Sequence, residues 1–81
     1  MNKYLILYDY GNYVIFDAYS INDCMIQLAE YTGDDTELFM KAINGVSEIE
    51  ACIEMYNHFS TYVVHAVYQI EKEIYSDKIK I

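Results

Sequence analysis

The sequence predicts an α+β fold: an N-terminal β-hairpin, three helices, and a C-terminal strand that completes an antiparallel sheet covered by helices on one face. Three observations predict it. Apolar residues fall in two runs from Lys3 to Tyr19 around the turn-forming Asp9-Tyr10-Gly11-Asn12. Three successive segments between Ser20 and Ser60 then repeat apolar residues at helical spacing behind cap residues. Period-two alternation resumes from Tyr62 to Ile70 in a stretch rich in β-branched and aromatic residues. The order is ββαααβ within a single domain spanning residues 1–81.

In the hairpin, pairing Tyr8 with Tyr13 sets Leu7 opposite Val14 and Leu5 opposite Phe16. Leu5, Leu7, Val14, Phe16 and Ala18 then share the face expected to meet the helices, because side chains alternate along a strand. Tyr4, Ile6, Tyr8, Tyr13, Ile15 and Asp17 share the other. The first helix is expected to start at Ser20, with Asp23 at the reciprocal capping position, and to close at Gly33. The second is expected from an Asp34 cap completed by Glu37, with Leu38, Phe39, Ala42 and Ile43 as its stripe and Gly45 as its end. The third is expected from a Ser47 cap with Glu50 reciprocal and Val46 stapled onto Ala51; Ile49, Cys52, Ile53, Tyr56 and Phe59 line one side. In the last strand, Val64, Ala66, Tyr68 and Ile70 are expected to face the helices, and Val63, His65, Val67 and Gln69 to face away. Glu71 to Tyr75 could extend that strand, and Lys78–Ile81 could form a fourth, edge strand.

This scheme leaves Tyr4, Ile6, Tyr8, Tyr13, Ile15, Val63, His65 and Val67 on an uncovered sheet face. So large an apolar patch is more than a monomer usually leaves in water, so a homodimer through the sheet is expected, the alternative being that the C-terminal segment or a long helix wraps over it. The composition adds ten tyrosines in 81 residues. Tyrosine supplies rigid contact area with a polar tip, which suits an interface; a coding bias that favours Tyr over Phe would give the same count without that meaning.

Charge is the strongest global signal. Thirteen acids stand against five lysines, for a net charge of −8, and there is no arginine. Such a surface repels nucleic acid and anionic membranes and attracts basic proteins, although negative charge also serves plain solubility. No apolar run approaches the ~18–20 residues that span a bilayer. The first residues show neither the basic region nor the cleavage site of a signal peptide, so a cytoplasmic location is expected. Cys24 and Cys52 fall on apolar helical stripes and read as buried free thiols of a reducing compartment, a disulfide between them staying open.

Catalytic and ligand-binding readings find little support. Cys24 or Cys52 with His58 or His65 would be needed for nucleophilic catalysis, yet neither cysteine has a basic neighbour in sequence to lower its pKa. The spacing Cys52-x5-His58-x6-His65 fits no zinc site. Asp34-Asp35-Thr36-Glu37 lacks the alternating ligands of a calcium loop, and acids at a helix start are explained by capping. With no glycine-rich loop and no lysine near a helix N-terminus, phosphate cofactors are not expected. The expectation is a non-enzyme with no cofactor, no metal and no direct nucleic-acid contact.

In size, acidity, lack of arginine and α+β plan, the chain resembles the small acidic proteins that phages encode to block host defence or host enzymes, some of which imitate nucleic-acid charge. The resemblance implies an inhibitory protein–protein interaction module that competes with nucleic acid for the basic surface of a host nucleic-acid-handling protein. Asp34, Asp35, Glu37, Glu48, Glu50 and Glu54 are the acids expected to meet that partner. Glu50 and Glu54 form an i,i+4 like-charge pair, easier to explain if a cation comes to meet it. The alternative is a small homo-oligomeric accessory protein that assembles through its tyrosine-rich sheet face.

Overall fold

A computed structural model describes residues 1–70. Two seven-residue strands, β1 (Asn2–Tyr8) and β2 (Asn12–Ala18), form the hairpin. Three helices follow, α1 (Ile21–Tyr31), α2 (Thr36–Ala42) and α3 (Ile49–Phe59), and then β3 (Val64–Ile70). The sheet order is β2-β1-β3, antiparallel throughout, so the α+β plan is as the patterning predicts. The expected extension over residues 71–75 and edge strand over 78–81 lie outside the described residues.

The register differs from the expected one. Tyr8 pairs with Asn12 across a three-residue connection, so Ile6 faces Val14 and Tyr4 faces Phe16. Asp9 and Gly11 both take positive φ, +51° and +80°, which lets the chain reverse in three residues. A one-residue slip inverts a strand, and here it inverts β1. Tyr4, Ile6 and Tyr8 are therefore in the core rather than on the open face, while Val14, Phe16 and Ala18 keep their expected side. Tyrosine tolerates this burial because its hydroxyl reaches the rim. Asn2 Nδ2 donates to the Tyr4 hydroxyl at 3.3 Å, and the Tyr8 ring stands edge-on to Tyr62 at 5.9 Å.

A bulge in β3 makes the second difference. Its pairing with β1 shifts between Leu7 and Tyr8: Tyr8 meets Val64, but Leu7 meets Ala66. The extra residue, His65, reverses the alternation beyond it. Val64 is buried as expected, but Val67 opposite Ile6 turns to the core side, and Ala66, Tyr68 and Ile70 turn away beside Leu7, Leu5 and Lys3. Periodicity cannot reveal an inserted residue.

Helix ends differ in detail. Ser20 caps α1 as expected, its hydroxyl accepting from the Asp23 N–H at 3.2 Å while the Asp23 carboxylate accepts from the Tyr19 N–H at 3.0 Å. The cap of α2 is Asp35, not Asp34, accepting from the Leu38 N–H at 3.1 Å. Glu48, not Ser47, stands at the cap position of α3 and makes no side-chain cap bond; its charge still complements the helix dipole. The helices bury Cys24, Met25, Leu28, Ala29, Phe39, Ile43, Cys52 and Tyr56, whereas Leu38, Ile49 and Phe59, expected in the stripes, are exposed.

Two polar clasps tie the elements together. The Tyr56 hydroxyl meets Thr32 Oγ1 at 3.1 Å and accepts from the Ser60 hydroxyl at 3.2 Å, joining the end of α1 to the end of α3. The Asn57 amide acts as a substitute strand partner: Oδ1 accepts from the Val64 N–H at 2.8 Å, and Nδ2 donates to the Val64 carbonyl at 3.4 Å. Asn57→Ala leaves both backbone groups without that partner in a half-buried place. It should destabilise the fold by about 1–3 kcal/mol, read as a lower denaturant midpoint at unchanged slope.

Candidate functional site

With its register settled, the sheet presents a face that no described element covers. Its centre is Leu5 and Leu7 of β1, flanked by Tyr13, Ile15 and Asp17 of β2 and by Ala66, Tyr68 and Ile70 of β3. Tyr13 is 67% exposed, Ile15 49% and Tyr68 55%. Of the residues expected here, Tyr13 and Ile15 are in place, and Tyr4, Ile6, Tyr8 and Val67 are on the core side. Val63 and His65 are exposed near the hairpin tip, where they line a shallow recess of about 270 Å³ with Asp9, Tyr10 and Thr61. Leu5, Leu7, Ala66, Tyr68 and Ile70 are the members that sequence reasoning missed. Both alternating sets of β1 are apolar, and nothing in the sequence marks the bulge.

Backbone direction adds a second feature. The Asp9 N–H donates to the Val63 carbonyl at 2.8 Å, which directs odd-numbered residues at this end of β1 toward β3. Even-numbered residues therefore bond β2, and the even residues of β2 bond back. The N–H and C=O groups of Tyr13, Ile15 and Asp17 then point out along the free edge of β2. The Gln27 amide confirms this at one end by donating to the Asp17 carbonyl at 2.8 Å.

The helical layer is the chemical opposite. Residues 21–60 hold eight acids (Asp23, Glu30, Asp34, Asp35, Glu37, Glu48, Glu50, Glu54) against Lys41 alone, a formal −7 of the chain's −8. Glu37, Glu48, Glu50 and Glu54 are exposed and available. Asp35 is exposed but occupied with its cap, and Asp34 is half-buried and accepts from Thr32 Oγ1 at 2.6 Å. The six expected acids do not form one cluster. Asp34 and Asp35 lie by Thr32 and hence by Tyr56, which is about 9 Å along α3 from Glu50 at roughly 1.5 Å per residue. Glu48, Glu50 and Glu54 follow one another at the N-terminal half of α3, exposed.

The residues weighed for chemistry are kept apart. Both thiols are free and lie inside the core, whereas His58 and His65 are on the surface. Among the described residues, no group of three or more His, Cys, Asp or Glu could hold a metal ion, and no helix is long and apolar enough to cross a membrane. Comparison with family models, with curated proteins and with solved structures finds no match to this chain.

Burial pushes the Cys24 thiol up to about 12 from an ordinary 9.0, with the neighbouring Asp23 carboxylate and Cys52 adding to it. Burial raises Cys52 as well, with no basic neighbour opposing it. The folded state thus keeps a Cys24 proton that the unfolded chain releases near pH 9. Stability should hold at neutral pH and fall as pH climbs from about 9 toward 12. Denaturant midpoints measured across that range, with Cys24→Ala showing a shallower decline, check the assignment.

Proposed function

We propose that the protein is a non-enzymatic protein–protein interaction module whose helical layer docks on a basic surface. The observation that carries this reading is the segregation of charge: almost the whole net charge lies on the helices, and Glu48, Glu50 and Glu54 stand exposed in sequence along one of them. Like charges held along one helix repel each other, and a cationic partner relieves that repulsion. The chemistry of such a partner is that of a nucleic-acid-handling protein, whose lysine- and arginine-rich site the carboxylates would occupy in place of phosphates. Some of the small acidic phage proteins that the chain resembles in general character act in this way. It requires no catalytic group, no cofactor and no direct nucleic-acid contact, and it places the module beside its partner in the cytoplasm.

A second reading, a homo-oligomeric accessory protein, is favoured by the exposed Tyr13, Ile15 and Tyr68 on the open sheet face. Salt separates the two. Capture of a basic partner should weaken steeply as ionic strength rises, since exposed charge pairs are screened. Reversing Glu48, Glu50 and Glu54 to lysine together should lower affinity about 10- to 100-fold at ~0.5–1 kcal/mol for each lost pair. Binding measured by titration calorimetry over a salt series tests this; binding indifferent both to salt and to the reversal would contradict it.

A further inference from the structure

Among the described residues no strand pairs with the outer edge of β2, and the Gln27 amide meets it at one end. Natural sheets blunt their edges with lysine, proline, bulges, short strands or a covering element. β3, the other edge among the described residues, carries the bulge at His65. β2 has seven regular residues, Asn-Tyr-Val-Ile-Phe-Asp-Ala, with no lysine and no proline, and Asp17 is its single charge. Its outward-pointing backbone belongs to Tyr13, Ile15 and Asp17, the same residues whose side chains stand on the open face.

We infer that this edge pairs with the β2 edge of a second copy of the chain, antiparallel about a two-fold axis at Ile15, to make a continuous six-stranded sheet. The register follows from the backbone. Outward groups can bond only to outward groups, so odd residues must meet odd residues. Centring on Ile15 places it opposite the partner's Ile15 and sets Tyr13 opposite the partner's Asp17, and it is the one register that uses all three residues of each edge. It also keeps the two Asp17 carboxylates apart and gives each a tyrosine as its cross-strand neighbour, where centring on Asp17 would bring like charges face to face. The Asp17 carbonyl can accept from the partner's Tyr13 N–H while keeping Gln27, because a carbonyl oxygen has two lone pairs. The edge is therefore complementary to itself, as a two-fold interface must be.

This inference concerns a different surface from the acidic helical layer and holds or fails independently of what that layer binds. Its salt dependence has the opposite sign. Two copies at −8 each repel, so added salt should tighten the dimer while it weakens capture of a basic protein.

Sedimentation equilibrium of the full chain, with engineered variants, tests it. The wild-type chain should dimerise, more tightly at higher salt. Ile15→Pro should fold, because the lost N–H points out of the sheet, and should be monomeric. Ile15→Cys should form an intermolecular disulfide on mild oxidation, since directly opposed hydrogen-bonded residues have Cα atoms about 5.5 Å apart. Tyr13→Cys should not, since it faces the partner's Asp17. Cys24 and Cys52, buried in the core, leave the readout clean. A wild-type chain that stays monomeric overturns the inference. So does a dimer that persists in Ile15→Pro without cross-linking through Ile15→Cys, which would mean face-to-face stacking of the sheets, and so does an unfolded Ile15→Pro, which would mean that the edge points the other way.

Discussion

The arrangement of this molecule depends on Asp9. Its N–H donates to the Val63 carbonyl at 2.8 Å and its carboxylate accepts from the Val63 N–H at 2.9 Å, so one residue closes the hairpin turn and fixes the start of the returning strand. Its φ of +51° belongs to the left-handed region, which aspartate tolerates better than most residues. With Asp9 held there, Tyr8 must pair with Asn12, and the direction of every backbone group in β1 follows. That parity decides which side chains of the central strand are buried and which backbone groups of β2 are left on the edge. A chain with a fourth turn residue would place Leu5 and Leu7 in the core and turn the tyrosines out.

Two consequences follow from the chosen parity. The core is built with long aromatic bodies, Tyr4, Tyr8, Phe39 and Tyr56; Tyr8 meets Tyr62 and Phe39 meets Tyr56 edge to face, and the Tyr4 and Tyr56 hydroxyls reach polar partners at the margin. The open face is left with Leu5, Leu7, Tyr13, Ile15, Ala66, Tyr68 and Ile70, apolar on both sides of the central strand. Charge has little room in such a sheet and is carried instead on the solvent sides of the helices. The result is a molecule apolar along the open face of the sheet and rich in exposed carboxylates along α3.

The element order was legible because the hydrophobic period changes from two to 3.6 and back, and because Ser20, Gly33 and Gly45 punctuate the change. The faces of the sheet were not. Tyr4, Ile6 and Tyr8 are as apolar a set as Leu5 and Leu7, so alternation alone cannot choose between them, and a turn of three or four residues decides. In β3 the bulge at His65 divides the strand into two halves of opposite sense, which is why Val64 followed the expected pattern and Tyr68 did not. Adjacent acids hid the cap of α2: Asp34 and Asp35 are equivalent on paper, and the Thr32 hydroxyl draws Asp34 away from the helix. Of the candidate site, the charge was plain from composition, whereas the edge of β2 required knowing where backbone groups point.

The central claim is that parity, and the most direct measurement is residue-resolved amide hydrogen exchange along β2. In dilute solution Val14 and Phe16 should be protected and Tyr13, Ile15 and Asp17 should exchange rapidly. Raising the concentration should then slow the odd set alone. Protection of the odd residues with rapid exchange of the even ones, or a pattern without alternation at every concentration, would contradict the account.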